Sequence, residues 1–522
     1  MSEKPVSEEA RARTAETLAA DLKTLHSLGY AQELLRRMSG FSNFAISFSM
    51  ICILAGGITS FQLGLCSVGG AALGLGWPLS CLFSLGFALA MGQVASAFPT
   101  AGGLYHWASI LGGRGWGWLT AWFNLAGLVT VLAAINVGAY LFTASALGPL
   151  LGLELTRLDP ARAVLIQLGG VVLITLSQAL FNHLGIKLTT RLTDFSGYLI
   201  FGVSVALTAS LLVYAPSFEP RRLLTFVNYS GPKGGQVWPH VQSLGWLFLL
   251  GLLLPAYTVT GFDASAHISE ETIGAAENVP RSMVRAVLYS GLLGWAMVCA
   301  IVLAIPDMDQ AAAQGAGAFF FIAERVLPSK LRYALYVGIA LAQYLCGLAT
   351  VTSTSRMAYA FARDGGLPLS GVLRRVSQRY RTPAVAIWSV AILSVLFTVY
   401  TPVYSTITAV CTILLYISYL LPIALGLYAW GRTWTQFGPW TIGGFYRPVA
   451  ALCVLGCAGI IFIGVQPPND KALWIILGAL ALTAVVWFGA ERKHFRGPPQ
   501  GLLVKQRQAQ LDVAQPVARQ DG

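Results

Sequence analysis

The chain has 522 residues, of which 56% are hydrophobic and only 11% are charged. An average soluble domain carries roughly 25% charged residues, and a soluble fold of this length could not bury so much apolar surface, so the composition excludes a soluble globular protein and indicates a protein of the lipid bilayer. The net charge of +12 does not indicate nucleic acid binding, because the basic residues lie in short connectors and tails, as they do in the cytoplasmic loops of membrane proteins.

The first predicted element is a polar, helix-prone segment, residues 1–40, which lacks the apolar stretch and cleavage site of a secretory signal. After it, stretches without charged residues predict the membrane helices, because a spanning helix needs about 20 residues with few or no charges. The backbone finds no water in lipid, so each spanning stretch must be helical. The predicted spans are spans 1 and 2 (within residues 38–113), span 3 (115–153), span 4 (163–186), span 5 (195–218), span 6 (234–262), span 7 (286–306), span 8 (333–355), spans 9 and 10 (within 382–431), span 11 (448–469) and span 12 (472–490). The predicted fold class is therefore an all-α polytopic membrane protein of about twelve transmembrane helices.

The distribution of Lys and Arg predicts the orientation. If the N-terminus is cytoplasmic, most of the 34 basic residues fall on the cytoplasmic side. We therefore expect a multi-pass protein of the plasma membrane with both termini in the cytoplasm. Residues 1–40 form the predicted N-terminal tail, 41–490 the twelve-span domain and 491–522 a disordered C-terminal tail. The connector 307–331 is expected to be an external helix across the mouth of the bundle.

Cysteines and short motifs give no sign of a cofactor, a metal or catalysis. The eight cysteines nearly all fall inside apolar runs, which indicates buried packing rather than disulfides or metal ligands. The sequence contains no phosphate-binding Gly-Lys-Ser loop, zinc spacing or nucleophile elbow. We therefore predict no cofactor, no metal and no catalytic residue, and an ATP-driven pump is disfavoured.

Two spans carry helix-breaking residues near their middles. Gly56-Gly57 lies within span 1, and Pro255 and Gly261 bracket a run of Thr and Val in span 6. Such residues lower helix stability by about 1 to 3 kcal/mol each. If spans 1–5 (about 41–214) and 6–10 (about 243–428) are matching units, followed by extra spans at about 447–490, the two breaks correspond, as in transporters with a site at the membrane midplane. The alternative is that glycines merely allow close helix packing.

Polar residues inside the spans are candidates for function, because burying them in a membrane is costly. Asp263 directly follows the break in span 6, and His267 lies four residues later, on the same helical face. Asp263 could contact a substrate amine, form a proton-linked pair with His267, or cap a restarting helix. In span 8, the hydroxyls of Thr352 and Ser353 could line a pathway or a cation site, or bond back to their own helix.

Four longer stretches carry a family resemblance. They are residues 28–34 with 36–49 (LGYAQEL and RRMSGFSNFAISFS), 95–108 (ASAFPTAGGLYHWA), 261–272 (GFDASAHISEET) followed by 279–281 (VPR), and 361–368 (FARDGGLP) with 382–383 (TP). Together they resemble the amino acid–polyamine–organocation (APC) transporter superfamily, and specifically its amino acid/choline transporter branch, over residues 28 to 490.

The resemblance implies a LeuT-type five-plus-five inverted repeat with two additional C-terminal spans. It implies that backbone N–H groups in span 1 bind a substrate carboxylate, that carbonyls in span 6 bind the amine, and that Phe262 is a nearby gate. The physics agrees, because half-helix N-termini attract anions and unwound carbonyls attract cations. The predicted substrate site comprises Gly56, Gly57, Ile58, Thr59, Val259, Thr260, Gly261, Phe262 and Asp263. The candidates for a coupling or cation site are His267, Thr352 and Ser353.

The predicted function is a secondary active transporter, a permease moving amino acids or related amines by alternating access. The alternatives are a choline, 4-aminobutyrate or polyamine carrier, and a nutrient sensor that binds without transporting. A channel is disfavoured because no span shows a regular polar stripe. The expected partners are the substrate, the bilayer, and a co-transported proton or an exchanged substrate, with no nucleic acid.

Two positions depart from the family pattern. Gln93 precedes the Ala-Phe-Pro stretch where many relatives carry an acidic residue, and the middle of span 5 lacks the Lys of some proton-coupled relatives. Substrate exchange and coupling through Asp263 and His267 are therefore the alternatives.

Overall fold

The computed structural model describes residues 8–148, 159–401 and 404–499, and the regular elements in these ranges are helices. Ten helices are long and apolar enough to cross a membrane, and two shorter apolar helices lie where spans 6 and 9 are predicted. The prediction of an all-α polytopic protein of about twelve spans is confirmed. Spans 1 to 12 are, in order, Gly40–Thr59, Ala72–Ala97, Arg114–Leu147, Ala161–His183, Ile186–Tyr214, Leu244–Thr258, Ala275–Leu303, Ser329–Arg363, Ala384–Tyr400, Thr406–Ala429, Gly443–Gly464 and Lys471–His494.

Several helices extend beyond the charge-free stretches that predict them. Span 7 begins at Ala275 rather than near residue 286, and span 8 continues to Arg363. Charged residues are excluded only from the hydrocarbon, so a helix can continue past it with charged ends. Span 6 is the opposite case: at 1.5 Å per residue it is roughly 22 Å long, shorter than the ~30 Å hydrocarbon core. A helix of this length is too short to cross the hydrocarbon core by itself.

The buried centre of the bundle is formed by spans 1, 3, 6, 8 and 10, and span 3 packs extensively against spans 8 and 10. Among the ten long spans, spans 4, 11 and 12 bury the smallest share of their residues and present large apolar side chains outward. Examples are Leu165, Leu173, Leu452, Leu455 and Leu482. An apolar exterior is what a lipid-facing surface requires, so these spans form the periphery.

Both described ends of the chain lie on one face of the bundle, which we call the N-terminal face. There the N-terminal helix Glu8–Ser27 contacts the start of span 7, where the carboxylate of Asp21 accepts from the N–H of Gly274 (2.8 Å) and Ala275 (3.3 Å). At the other end of the chain, Arg114 of span 3 donates to the carbonyl of Phe495 (3.1 Å). Within the predicted disordered tail, residues 495 and 497–499 are buried, and the remainder from 500 to 522 lies outside the described residues.

The opposite face is covered by two connectors. The expected single helix over residues 307–331 is wrong in detail, because the connector forms two short helices, Met308–Ala313 and Ala318–Val326. The glycines between them, including Gly315 with φ +52°, bend the chain and divide the helix. The connector between spans 5 and 6 joins this cover, and Tyr229 donates to the carboxylate of Asp309 (2.9 Å).

Candidate functional site at the interrupted spans

Span 6 is interrupted where the sequence predicts. Its helix ends at Thr258, residues 259–263 are unwound, and a short helix, Ala264–His267, follows. Gly261 has φ +85°, a conformation that glycine adopts without steric penalty. A Cβ on Gly261 would lie 2.8 Å from Cγ of Met50 in span 1. The glycine therefore serves both the turn and the close approach of spans 1 and 6.

Span 1 is interrupted at Cys52, so the predicted break at Gly56-Gly57 is wrong by one helical turn. Cys52 has φ 28° and ψ 84° and separates the helices Gly40–Ile51 and Ile53–Thr59. Gly56, Gly57, Ile58 and Thr59 all lie within the second helix. The N–H of Gly56 is not free, since it donates to the carbonyl of Cys52 (3.1 Å). Their contact with a substrate stays a prediction.

Gly56 has a packing role instead. A Cβ at this position would lie 2.7 Å from Oγ1 and 2.8 Å from Cα of Thr258, so only glycine allows the backbones of spans 1 and 6 to meet. A Cβ on Gly57 would meet the side chains of Met297 and Trp77 at distances closer to those of ordinary van der Waals contact. The physical reason for the error is that glycine in a membrane helix marks either a break or a close contact, and Gly56 marks the contact.

Span 8 holds the interruption of span 1 in place. The Gln343 side chain donates to the carbonyl of Leu54 (3.1 Å), and the Cys346 thiol lies 3.4 Å from the carbonyl of Met50. Both side chains are fully buried. Gln343 was not among the predicted site residues, although an amide within an apolar span is itself a signal.

Asp263 lies at the centre of a buried hydrogen-bond network. Its Oδ1 accepts from the hydroxyl of Tyr419 (2.7 Å), and its Oδ2 lies 3.2 Å from both Nδ2 of Asn124 and Nε2 of His267. All four side chains are fully buried. Asp263 and His267 are thus in contact, as their spacing of four residues predicts, and a role in substrate binding or coupling stays a prediction. Asp263 occupies the N-cap position of the short helix, but its carboxylate makes no capping hydrogen bond there, so the capping interpretation of the side chain is wrong.

The polar backbone groups of the unwound segment are partly satisfied by neighbouring spans, as burial in a membrane requires. The Ser47 hydroxyl of span 1 donates to the carbonyl of Phe262 (2.7 Å) and accepts from the N–H of Ser265 (3.0 Å). The N–H of Gly261 donates to the hydroxyl of Tyr419 (3.1 Å). Ser47 and Tyr419 were not among the predicted site residues, because the partner of a hydroxyl in a span is known only once the chain is folded.

The span 8 hydroxyls mostly bond within their own helix. Thr352 donates to the carbonyl of Leu348 (3.0 Å) and contacts Oδ1 of Asn182 in span 4 (2.7 Å). Ser353 is buried, and its hydroxyl finds no partner among the described residues. A role of Thr352 and Ser353 in coupling stays a prediction.

Two buried ion pairs close the N-terminal face. Glu270 receives two hydrogen bonds from Arg363, at 3.0 and 2.9 Å, and Glu271 lies 3.1 Å from Nη2 of Arg356. Both glutamates follow the unwound segment, and both arginines belong to span 8. Burial raises the pKa of Glu271, and the positive charge of Arg356 opposes that rise. These pairs join the segment between spans 6 and 7 to span 8.

The segment just before span 1 adds backbone hydrogen bonds to the same region. The N–H groups of Arg37 and Met38 donate to the carbonyl of Glu271 (3.0 and 2.8 Å), and Ile273 donates to the carbonyl of Met38 (2.9 Å). Nearby, Asp364 accepts from the hydroxyl of Tyr30 (2.6 Å). Burial raises the pKa of Tyr30 well above its usual value, and the charge of Asp364 adds to the rise.

On the opposite face a cavity of ≈ 320 Å³ reaches towards the interruptions. Gln62, Trp238 and Tyr257 are among its lining residues, and Tyr257 lies two positions before the unwound segment. The hydroxyl of Tyr257 is 3.5 Å from that of Tyr404, which also contacts Thr59. The interrupted spans thus lie between a closed face and a face with a cavity.

Similarity to known proteins identifies the family of the chain. A family described as amino acid permease matches residues 38–488 of the chain. The chain belongs to the amino acid permease family. The predicted membership of the APC superfamily is confirmed, and the permease is a multi-pass membrane protein of amino acid transport.

The relatives match over nearly the full length of the permease. It is 32% identical to "Amino-acid permease BAT1" of Arabidopsis thaliana over 92% of this chain and 96% of that protein. It is also 32% identical to "Amino-acid permease BAT1 homolog" of Oryza sativa subsp. japonica, covering 91% and 94%. The "GABA-specific permease" of Saccharomyces cerevisiae is 26% identical, with coverage of 92% and 86%.

Proposed function

We propose that the permease is a secondary active transporter that moves an amino acid or a related amine by alternating access. The observation that carries the proposal is the meeting of two interrupted helices at the buried centre, with Gly56 against Thr258 and Gly261 against Met50. The substrate would bind between residues 52–59 of span 1 and residues 259–263 of span 6. Paired interruptions in spans 1 and 6 also support the five-plus-five inverted repeat.

The difference between the two faces supports alternating access. Ion pairs of Glu270 and Glu271 close one face, and the other has a cavity reaching Tyr257. With the orientation expected from Lys and Arg, the closed face is cytoplasmic, both termini are in the cytoplasm of a plasma membrane protein, and this conformation faces outward.

Amino acids are the substrates that we propose first, because relatives at 32% identity are named amino-acid permeases. The second candidate is 4-aminobutyrate, favoured by the likeness to a GABA-specific permease. The side chains of Tyr419, Asn124 and His267 already surround the carboxylate of Asp263. The substrate amine is therefore proposed to bind the carbonyls of the unwound segment rather than Asp263.

The test is transport by the purified permease in proteoliposomes. Uptake of labelled amino acids, 4-aminobutyrate and choline would be measured with and without a pH gradient, and counterflow with unlabelled substrate inside. We expect uptake or counterflow of at least one amino acid or 4-aminobutyrate. Binding of a substrate without either activity would overturn the proposal in favour of a sensor.

A matched pair of variants tests the site. Gly261→Val should abolish transport, because position 261 has φ +85° and a Cβ there would lie 2.8 Å from Met50. Gly202→Ala in span 5 adds a methyl group where no atom lies within 4 Å and should transport normally. Equal transport by the two variants would contradict the proposed site.

A further inference from the structure

We propose that a groove between the start of span 3 and the end of span 12 binds an anionic phospholipid from the leaflet at the N-terminal face. The groove shares no lining residue with the interrupted segments of spans 1 and 6, so the inference does not depend on the proposed transport function. Its volume is ≈ 370 Å³, and ligand sites typically measure about 300 to 1,000 Å³. The space is therefore sufficient for part of a hydrocarbon chain.

The lining of the groove suits such a chain. It includes the apolar side chains of Leu119, Leu480 and Phe488. Leu480 and Phe488 are 40% and 69% exposed, so this apolar surface faces the lipid around the bundle. Gly115 and Trp487 bring the two spans together within the groove, since a Cβ on Gly115 would lie 2.9 Å from the ring of Trp487. An acyl chain can lie on apolar surface of this kind without leaving the bilayer.

An unpaired donor indicates that the ligand also carries acceptor oxygens. Trp118 lines the groove, is 1% exposed, and its indole N–H has no hydrogen-bond partner among the described residues. Leaving a buried donor without an acceptor costs free energy. Trp118 lies one helical turn from Arg114, where span 3 begins, which places it near the membrane–water interface. The ester oxygens of a phospholipid lie at that depth and would accept from the indole, whereas a plain hydrocarbon would not.

Basic residues border the groove where span 12 ends. Arg492 follows Phe488 by four residues, one turn further along the span. Arg492, Lys493 and Arg496 are exposed, and none has an ion-pair partner within the described part of the chain. Glu491 is the only acidic residue in 491–499, so this stretch is positively charged. Basic residues beside a spanning helix attract anionic headgroups. Orientation in the membrane would explain the charges alone, and the adjoining groove with its unpaired indole is what points to a bound lipid.

A lipid bound here would bridge two parts of the chain that already meet. Arg114 of span 3 donates to the carbonyl oxygens of Arg492 and Phe495, each at 3.1 Å. Phe495 is buried, and its ring centroid lies 5.9 Å from that of Phe361 in span 8. The headgroup and chain would hold spans 3 and 12 together at this point. We therefore expect the bound lipid to raise the thermal unfolding midpoint of the permease.

The experiment titrates the purified, delipidated permease in a neutral detergent. Phosphatidylglycerol, which is anionic, is compared with phosphatidylcholine of the same acyl chains, and native mass spectrometry counts the bound lipids. We expect phosphatidylglycerol to bind more tightly and to raise the unfolding midpoint further. Equal binding of the two lipids would overturn the proposal. Displacement of phosphatidylglycerol by inorganic phosphate at constant ionic strength would also overturn it, in favour of a free anion.

The first matched pair of variants tests the chain end of the site. Ala484→Phe places a ring in the groove, and Val485→Phe adds the same ring at the next position, which is 70% exposed and does not line the groove. We expect Ala484→Phe to weaken phosphatidylglycerol binding by roughly tenfold, because the ring displaces methylene groups of the lipid. Val485→Phe should bind as the unaltered protein does.

The second pair tests the headgroup end. Lys493→Gln combined with Arg496→Gln removes two charges beside the groove, and Lys330→Gln combined with Lys471→Gln removes two exposed charges on the opposite face. The first combination should weaken binding by roughly 30-fold and the second should leave it unchanged. The two pairs act on different ends of the lipid, so one still decides the question if a variant of the other fails to fold. Binding by Ala484→Phe and by the Lys493/Arg496 combination that equals that of their controls would overturn the site.

Discussion

The ion pair between Glu270 and Arg363 is the contact on the N-terminal face that is best suited to a quantitative test. Its two hydrogen bonds, at 3.0 and 2.9 Å, form the bidentate arrangement in which an arginine and a carboxylate interact most strongly. Glu270 is fully buried and also accepts from the N–H of Ala101 (3.1 Å). Glu270→Gln keeps the shape of the side chain, but it removes the charge and turns an NH₂ group towards a guanidinium N–H.

The expected magnitude follows from burial. Removing one partner of a buried ion pair costs about 3 to 5 kcal/mol, because the other charge is left uncompensated. Glu277 and Arg281 form the matched control, since their oxygen and nitrogen are 2.8 Å apart but both side chains are 48% exposed. Exposed pairs contribute only about 0 to 1 kcal/mol. Glu270→Gln should therefore open the N-terminal face far more often than Glu277→Gln.

Hydrogen–deuterium exchange of the backbone amides measures this opening directly. Segments that open locally exchange at a rate set by the free energy of opening. A loss of about 3 kcal/mol should accelerate exchange over residues 264–275 by roughly a hundredfold in Glu270→Gln. The amides of span 3 should keep their protection. Equal exchange in Glu270→Gln and Glu277→Gln would refute the reasoning that this pair holds the face closed.

Two further predictions concern packing and capping. Gly56→Ala should lower the stability of the permease by about 1 to 3 kcal/mol, because the new methyl group would meet Thr258 at 2.7 Å; a thermal unfolding midpoint equal to that of Gly202→Ala would contradict this. Asp21→Ala should weaken docking of the N-terminal helix by about 1 kcal/mol, because two N–H groups at the start of span 7 lose their acceptor. Limited proteolysis should then cleave this helix faster than in Asp21→Asn, which keeps an acceptor oxygen, and equal cleavage of the two variants would speak against capping.

The number of spans is predictable because the bilayer leaves the chain little choice. Charged residues are excluded from the hydrocarbon and the backbone must be helical there, so charge-free stretches count the spans. The ends of the helices are less predictable, as span 7 shows by beginning at Ala275. A charged residue marks where the hydrocarbon ends and not where the helix ends.

The two interruptions differ in what local sequence can predict. In span 6 the turn needs a glycine at Gly261, so the local residue types point to the correct place. In span 1 the turn falls on Cys52, and its neighbours Leu54 and Met50 are held by Gln343 and Cys346 of span 8. Contacts from so distant a part of the chain leave no recognisable pattern in the sequence around Cys52.

The buried network around Asp263 also contains one contact that the local sequence predicts and others that it does not. Its contact with His267 is predictable from their spacing of four residues. Tyr419 and Asn124 come from spans 10 and 3, and only the folded bundle brings their side chains to the carboxylate. Contacts within one helical turn can therefore be predicted from the sequence, and contacts between spans cannot.

The cysteine at the interruption of span 1 has a consequence for the freedom of the chain. Cys52 carries a Cβ and yet has a positive φ, which costs about 1 to 3 kcal/mol. A glycine would adopt the same conformation without strain. Glycine would also open many other backbone conformations to the same joint. With cysteine, the two halves of span 1 have few alternative angles, and their joint has low conformational entropy. Such a joint favours a small number of discrete arrangements over a continuous range of bending.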